Sequence, residues 1–484
     1  MTKAIMIQGA GSNVGKSLLV AGMCRAYRKR GLAVTPFKPQ NMSNNAAVTE
    51  DGGEIGRAQA LQALAAGVAR HSDLNPVLLK PESETGAQVI VQGRRLTNVK
   101  AREYAGLKAR LMPAVIDSFD RLKSRSDLVL VEGAGSPAEI NLRPGDIANM
   151  GFAEAANVPV LLTGDIDRGG VIAQLVGTYT VLPRADRDRI KGFIINKFRG
   201  DAALFEEGLN EIVGRTGWHS LGVVPWFDGA RKLPGEDVMD MRSTDSGTYR
   251  IAVPKLSRIA NFDDLDPLTQ EPGISVEIIE AGQALPGNAD LVLIPGTKST
   301  IADLAYFREQ GWDIDLKAHL RRGGHVLGIC GGYQMLGRLI IDKDGLEGPP
   351  GRVEGLGHLD VVTEMHPEKE LANVTAEYLP NGMVLDAYEI HIGKTWGEDC
   401  RNAWLAVGNR REGAQSADGQ VRGCYLHGLF ASNKFRSAFL SGIGAGASSL
   451  DYGLEVERTL DALAAHLETH LDLDMILKLA SGKG

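Results

Sequence analysis

Cys330 closes an apolar run, Val326-Leu327-Gly328-Ile329, and opens the amphipathic stretch Gly331-Gly332-Tyr333-Gln334-Met335-Leu336. That order reads as strand, sharp turn and helix. Gly328 and Gly332 stand two residues either side of the cysteine, the spacing of a nucleophile elbow. A thiol held at a helix start is favoured as thiolate by the helix dipole and free N–H groups. A reactive thiolate needs a base. Two strand-like segments each carry one histidine, His391 in Tyr388–Gly393 and His427 in Gly423–Phe430.

A second group of chemistry-bearing residues lies far upstream. Gly9-Ala10-Gly11-Ser12-Asn13-Val14-Gly15-Lys16-Ser17 follows the apolar run Ala4–Ile7 and precedes an amphipathic stretch from Leu18 to about Arg30. Strand, glycine loop and helix is the context that a P-loop requires. Backbone N–H groups of such a loop cradle phosphates at the positive end of the helix. Lys16 would reach the β- and γ-phosphates, and Ser17 would ligate Mg²⁺. The spacing departs from the usual form, because Ala10 stands where the first glycine is expected and Gly9 lies six residues before Gly15.

These residues need a scaffold, and the patterning supplies one. Asp127 is followed by the apolar run Leu128–Val131, which ends in Glu132-Gly133, Val158–Leu162 ends in an acidic loop at Asp165 and Asp167, and Gly192–Ile195 runs into Asn196. Ligands of open α/β sheets sit at such strand ends, and Glu132 is placed there to hold Mg²⁺. Strands alternating with helical segments to about residue 230 predict one doubly wound α/β domain. The polar loops Asn41–Asn45 and Asp51–Arg57 suggest substrate and metal contacts. A turn-rich stretch over 231–249 reads as a linker, a second α/β domain as 250–445, and the helical pattern over 446–484 as terminal helices packed on that second domain.

With 484 residues, 43% hydrophobic and 23% charged, the chain is long enough for two or three soluble domains. A net charge of −7 gives no electrostatic reason to expect nucleic acid or an anionic membrane as partner. No run is long and apolar enough to span a bilayer. Four scattered cysteines without a CxxC pair argue against disulfides or a zinc site and fit a reducing cytoplasm.

The chain resembles the cobyric acid synthases, glutamine-dependent amidotransferases of cobalamin biosynthesis. The resemblance runs essentially end to end. It is carried by Gln8–Ser17, Pro36–Asn45, DGGEIGRAQALQA (51–63), NPVLLKPESETGAQVIVQG (75–93), Val131–Pro137, Pro295–Thr300, Gly328–Leu336, Tyr388–Gly393 and Tyr425–Phe430. The P-loop variant alone resembles the dethiobiotin-synthetase type, and the elbow alone the class I glutamine amidotransferases. The sister family, the cobyrinic acid a,c-diamide synthases, shares the two-domain plan but is expected to differ at 51–63. A partitioning or regulatory ATPase with a degenerate second domain is disfavoured because Cys330 and His427 are both present.

The resemblance implies ATP, Mg²⁺ and glutamine as co-reactants and a corrin carboxylic acid as substrate. The b, d, e and g carboxylates of adenosylcobyrinic acid a,c-diamide would be amidated in turn. It implies that Cys330 attacks the glutamine amide, that His427 is its base, and that Gly296 and Gly331 form the oxyanion hole. Many class I enzymes carry Glu two residues after this histidine; here the position is Leu429, so the pair works alone or another carboxylate completes it, with Glu389 the candidate. His391 is expected to be a packed or glutamine-site residue. In the first domain Gly9, Gly11, Gly15, Lys16 and Ser17 bind phosphate and metal. Lys38 would meet the γ-phosphate or the activated carboxylate, and Asn196 the nucleotide base. Glu132 is the leading Mg²⁺ ligand, with Glu54 or Asp51 second. Arg168 and Arg199 are candidates to hold corrin carboxylates.

Overall fold

The structure is a computed structural model that describes residues 2–82, 86–236, 238 and 241–482. Residues 83–85 of the 75–93 stretch, and 237 and 239–240 of the expected linker, lie outside the described residues. Two compact units form: residues 1–43, 49–234 and 456–484 make the first, and 44–48 with 235–455 the second.

The first unit is built on six parallel strands: β1 (Lys3–Gly9), β2 (Val34–Phe37), β3 (Leu128–Glu132), β4 (Val160–Asp165), β5 (Ile190–Phe198) and β6 (His219–Pro225). Their order is β6-β5-β4-β1-β3-β2, with every neighbouring pair parallel. Strands covered on both faces must be apolar throughout. Ile5, Met6 and Ile7 and the run Leu128–Val131 are accordingly fully buried. The register sets Ile7 opposite Glu132. The loop that follows β1 and the acidic end of β3 therefore emerge at the same edge of the sheet. Helix α1 (Lys16–Lys29) starts directly after Gly15, whose φ of 91° is open to glycine and strained for other residues.

Two strands of the 75–93 stretch, Val77–Pro81 and Gly86–Val91, do not join this sheet. Val77–Pro81, Gly86–Val91 and Arg94–Lys100 form an antiparallel meander, with Gln40–Met42 added in parallel beside Val77–Pro81. This second sheet is followed by no helix per strand, which is what separates it from the doubly wound layer. Helix α2 (Arg57–Ala66) precedes it and packs on α1.

In the second unit, β7 (Tyr249–Pro254), β8 (Ile274–Ile279), β9 (Leu291–Ile294) and β10 (His325–Ile329) are followed by a long hairpin, β11 (Val361–Tyr378) and β12 (Met383–Gly397), and by β13 (Val421–Cys424). The order β8-β7-β9-β10-β13 is parallel throughout, and Ala414–Gln415 adds an antiparallel edge. Ile294 stands opposite Gly328, and Ile329 opposite Cys424. The chain beyond each of these strands, carrying Gly296, Cys330 and His427, emerges together.

The terminal helices depart from the expectation that they pack on the second unit. Residues from Val456 onward belong to the first unit. A Cβ on Gly22 of α1 would lie 2.5 Å from Leu467 and 2.8 Å from Leu463. Arg25 pairs with Glu457 at 2.6 Å, Arg30 with Asp474 at 2.7 Å, and the Tyr27 hydroxyl donates to the Leu473 carbonyl at 2.8 Å. Helical periodicity reveals an apolar face but not what covers it. The partner was set by a glycine notch and a basic helix end 430 residues upstream. Replacing the fully buried Leu467 by Ala should destabilise the nucleotide-loop unit by about 2–5 kcal/mol. Calorimetry should show the transition of that unit moving down while the other stays in place.

Candidate active site

The elbow at Cys330 is as tight as its glycines suggest. Cys330 takes φ 53° and ψ −109°, a strained backbone for a residue with a side chain. Helix α3 (Gly331–Leu336) follows at once. A Cβ on Gly332 would sit 2.1 Å from the Ile294 carbonyl oxygen, and one on Gly328 2.7 Å from Gly332 backbone. Only hydrogen fits at either place. The Cys330 N–H donates to the Cys424 carbonyl at 2.8 Å, which locks the turn to β13.

His427 lies three residues beyond Cys424 and is fully buried. It packs on the Gly296 backbone, where a Cβ would stand 3.0 Å from its Cε1. Its Nδ1 is 2.7 Å from Asp264 Oδ2, and its Nε2 has no hydrogen-bond partner. Asp264 Oδ1 also accepts from the Gly428 N–H at 2.6 Å. Burial alone would push the imidazole down. The Asp264 charge and hydrogen bond, and then Cys330, outweigh burial and push it up to about 10. An imidazolium beside a thiol favours the thiolate.

The carboxylate in contact with His427 is that of Asp264, and Glu389 makes no such contact. Glu389 is ion-paired to Arg410 at 2.6 Å. Asp264 sits in Asn261-Phe262-Asp263-Asp264-Leu265-Asp266, where no spacing rule distinguishes it from its acidic neighbours. The Gly296–Thr297 turn meets the elbow, because a Cβ on Gly331 would lie 3.1 Å from the Thr297 nitrogen. The amides of Gly331 and of this turn are placed to receive an oxyanion. Cys24 and Cys424 are buried thiols pushed up by desolvation, the opposite of what a nucleophile requires.

In the first unit, one carboxylate gathers the expected residues. Glu132 Oε1 accepts from Ser17 Oγ at 2.7 Å and Lys38 Nζ at 2.8 Å. Its Oε2 accepts from Gln62 Nε2 at 2.6 Å and Gln59 Nε2 at 3.5 Å. Burial would raise this carboxyl, but Lys38, with Gln62 and Ser17, holds it below the usual range. Gln59 and Gln62 come from α2, one helical turn apart, and sequence reading assigned them no role. Lys16 Nζ lies 3.5 Å from the Gly135 carbonyl. Asn196 Nδ2 donates to the Val14 carbonyl at 2.8 Å, so its amide holds the phosphate loop in shape.

Glu54, the second candidate metal ligand, is buried against Lys80, with Nζ to Oε2 at 2.8 Å, and that cation already neutralises it. Asp51 accepts instead from the Ser72 hydroxyl at 2.5 Å. Arg199 pairs with Asp167 of the preceding strand's loop at 2.6 Å, and Arg168 approaches Asp165 of its own loop at 3.7 Å. Among the described residues, no group of three Asp, Glu, His or Cys side chains is arranged to hold a metal by itself. No helix among them is long and apolar enough to cross a membrane.

Fold and site together define a glutamine amidotransferase joined to a P-loop nucleotide-binding domain. The family model of the CobQ/CobB/MinD/ParA nucleotide binding domain matches residues 5–238, and that of the CobB/CobQ-like glutamine amidotransferase domain matches 250–435. A cobyric acid synthase of Ruegeria sp. (strain TM1040) is 64% identical over 98% of both chains. One of Rhodobacter capsulatus is 63% identical and one of Jannaschia sp. (strain CCS1) 60%, each over 99% of both chains. The chain belongs to the cobyric acid synthase family.

Replacing Asp264 by Asn should lower glutamine hydrolysis by about 10²–10⁴-fold. Losing the carboxylate lowers the pKa of His427, so the alkaline limb of the rate profile, where the imidazolium deprotonates, should move to lower pH. A pH titration of ammonia release checks both.

Proposed function

We propose that the protein uses ATP and glutamine to amidate the b, d, e and g carboxylates of adenosylcobyrinic acid a,c-diamide, giving adenosylcobyric acid. What carries this reading is the pairing of a thiol–imidazole–carboxylate constellation with a phosphate loop in one chain of this family. A carboxylate is a poor electrophile, so ATP first converts it to an acyl phosphate. Cys330 attacks the glutamine amide, and His427, held by Asp264, hands its proton to the departing ammonia. The Gly296 and Gly331 amides stabilise the tetrahedral oxyanion. The ammonia then displaces phosphate from the acyl phosphate.

Lys16 neutralises charge on the phosphates, and Lys38 meets the transferred group or the carboxylate it joins. Ser17 and Glu132, two hard oxygen donors held 2.7 Å apart, suit Mg²⁺, which keeps most of its other positions for phosphate oxygens and water. When bound, that ion would offset charge on the transferred phosphoryl group. The sister reaction, amidation at a and c of cobyrinic acid, uses the same chemistry and is separated by product. The four unpaired thiols support a reducing, cytoplasmic setting.

The test supplies the purified protein with the a,c-diamide, Mg-ATP and glutamine and reads the product by mass spectrometry. Four successive carboxylate-to-amide conversions are expected. No conversion of the diamide, with amidation of unmodified cobyrinic acid at two positions, would transfer the chain to the sister reaction. A Cys330→Ala variant should lose glutamine-driven turnover and keep turnover driven by ammonium salts. A folded variant inactive with ammonia would refute the division of labour.

A further inference from the structure

The constellation around Cys330 leaves a second histidine without a task. His391 lies in β12, one residue past Ile390, whose carbonyl oxygen is 3.8 Å from Cys330 Sγ. It is 7% exposed, and its ring lies flat on Tyr425 with centroids 3.8 Å apart at 13°. Neither ring nitrogen has a hydrogen-bond partner. Glu389 Oε1 approaches Nε2 only to 3.7 Å, beyond hydrogen-bonding distance. A buried imidazole with both nitrogens unmatched is costly unless a ligand completes it.

Glu389 lies two residues earlier, on the same face of the strand. It is buried, and Arg410 donates to its Oε1 at 2.6 Å. The same guanidinium also donates to Glu412 at 2.7 Å, so one cation serves two carboxyl groups. Burial would raise the Glu389 carboxyl, but His391 and Arg410 offset it and keep it ionised. An anionic oxygen beside an imidazole with open nitrogens accepts from a donor that carries several N–H bonds and a positive charge. In glutamine, two methylenes separate the amide carbon from the α-carbon, a span of about one residue of chain, ~3.8 Å. With the amide carbon at Cys330, the α-amino group falls within reach of the residues flanking Ile390.

We propose that Glu389 and His391 receive the α-ammonium of glutamine and select an α-amino acid amide over a plain amide. This rests on the reading of Cys330 as the nucleophile of glutamine hydrolysis. Glu389 accepts through its carboxylate and His391 through a ring nitrogen, while the Tyr425 ring fixes the imidazole plane.

The test compares hydrolysis of glutamine with that of glutaramate, which lacks the α-amino group, in the full-length protein. Glu389→Gln and His391→Asn should each raise KM for glutamine by about 10–100-fold, with kcat little changed. KM for glutaramate should not move, so the preference for glutamine collapses by the same factor. Ammonia-driven amidation should persist and reports that the variants fold. Either variant suffices if the other is insoluble. The proposal is overturned if the preference survives, or if kcat falls equally on both amides. Glutamine hydrolysis that survives Cys330→Ala would instead remove the reading on which the proposal stands.

Discussion

A buried imidazole beside a thiol would ordinarily be neutral and would leave that thiol protonated. The Asp264 carboxylate, 2.7 Å from His427 Nδ1, reverses this. It holds the Nδ1 proton, leaves Nε2 without a competing partner, and sustains the positive charge that a thiolate needs next to it. It also ties the backbone at Gly428, so the turn beyond the imidazole is held by the same group. Tyr388 packs on the other side of the ring, 5.1 Å between centroids, and donates its hydroxyl to Asp263 at 2.8 Å. The strained φ of Cys330 is of use only because the imidazole it faces cannot turn away.

The first unit solves a similar problem with the charges exchanged. Glu132 is buried at the end of a wholly apolar strand, where an unpaired carboxylate would cost several kcal/mol. Lys38, Ser17, Gln59 and Gln62 satisfy it from three different elements. Satisfied in this way, the carboxylate fixes the side chains at the entrance of α1. A phosphate or cation arriving there meets groups already oriented, which is the arrangement that electrostatic catalysis favours.

Much of this was legible in the residues. The elbow is readable because the apolar run, the cysteine and its flanking glycines are contiguous, even though the atom that demands Gly332 is the Ile294 carbonyl of another strand. The phosphate loop is readable because strand, loop and helix are contiguous. Glu132 is readable because an acid ending an apolar strand has few other reasons to be there. Asp264 is not readable, since its partner is 163 residues distant and two other aspartates flank it. The partner of Glu54 is hidden for a related reason. Its motif looks like a ligand set, and the lysine that neutralises it lies 26 residues on, in another strand. The destination of the terminal helix is equally hidden, because an apolar stripe fits any notch of the right width.

That helix bears on how the protein is made. The first unit begins with residues at the start of the chain but includes the segment from Val456 onward, and the Ala4 N–H donates to the Ala480 carbonyl. The ribosome therefore finishes the entire amidotransferase unit before it supplies the helix that covers α1. Domains emerging from synthesis generally fold in the order they appear. Here the later unit is completed first, and the nascent nucleotide-binding sheet must wait with an apolar flank uncovered. Newly made chains of this family are consequently most exposed to chaperones and proteases at α1, during the interval in which the second half is translated.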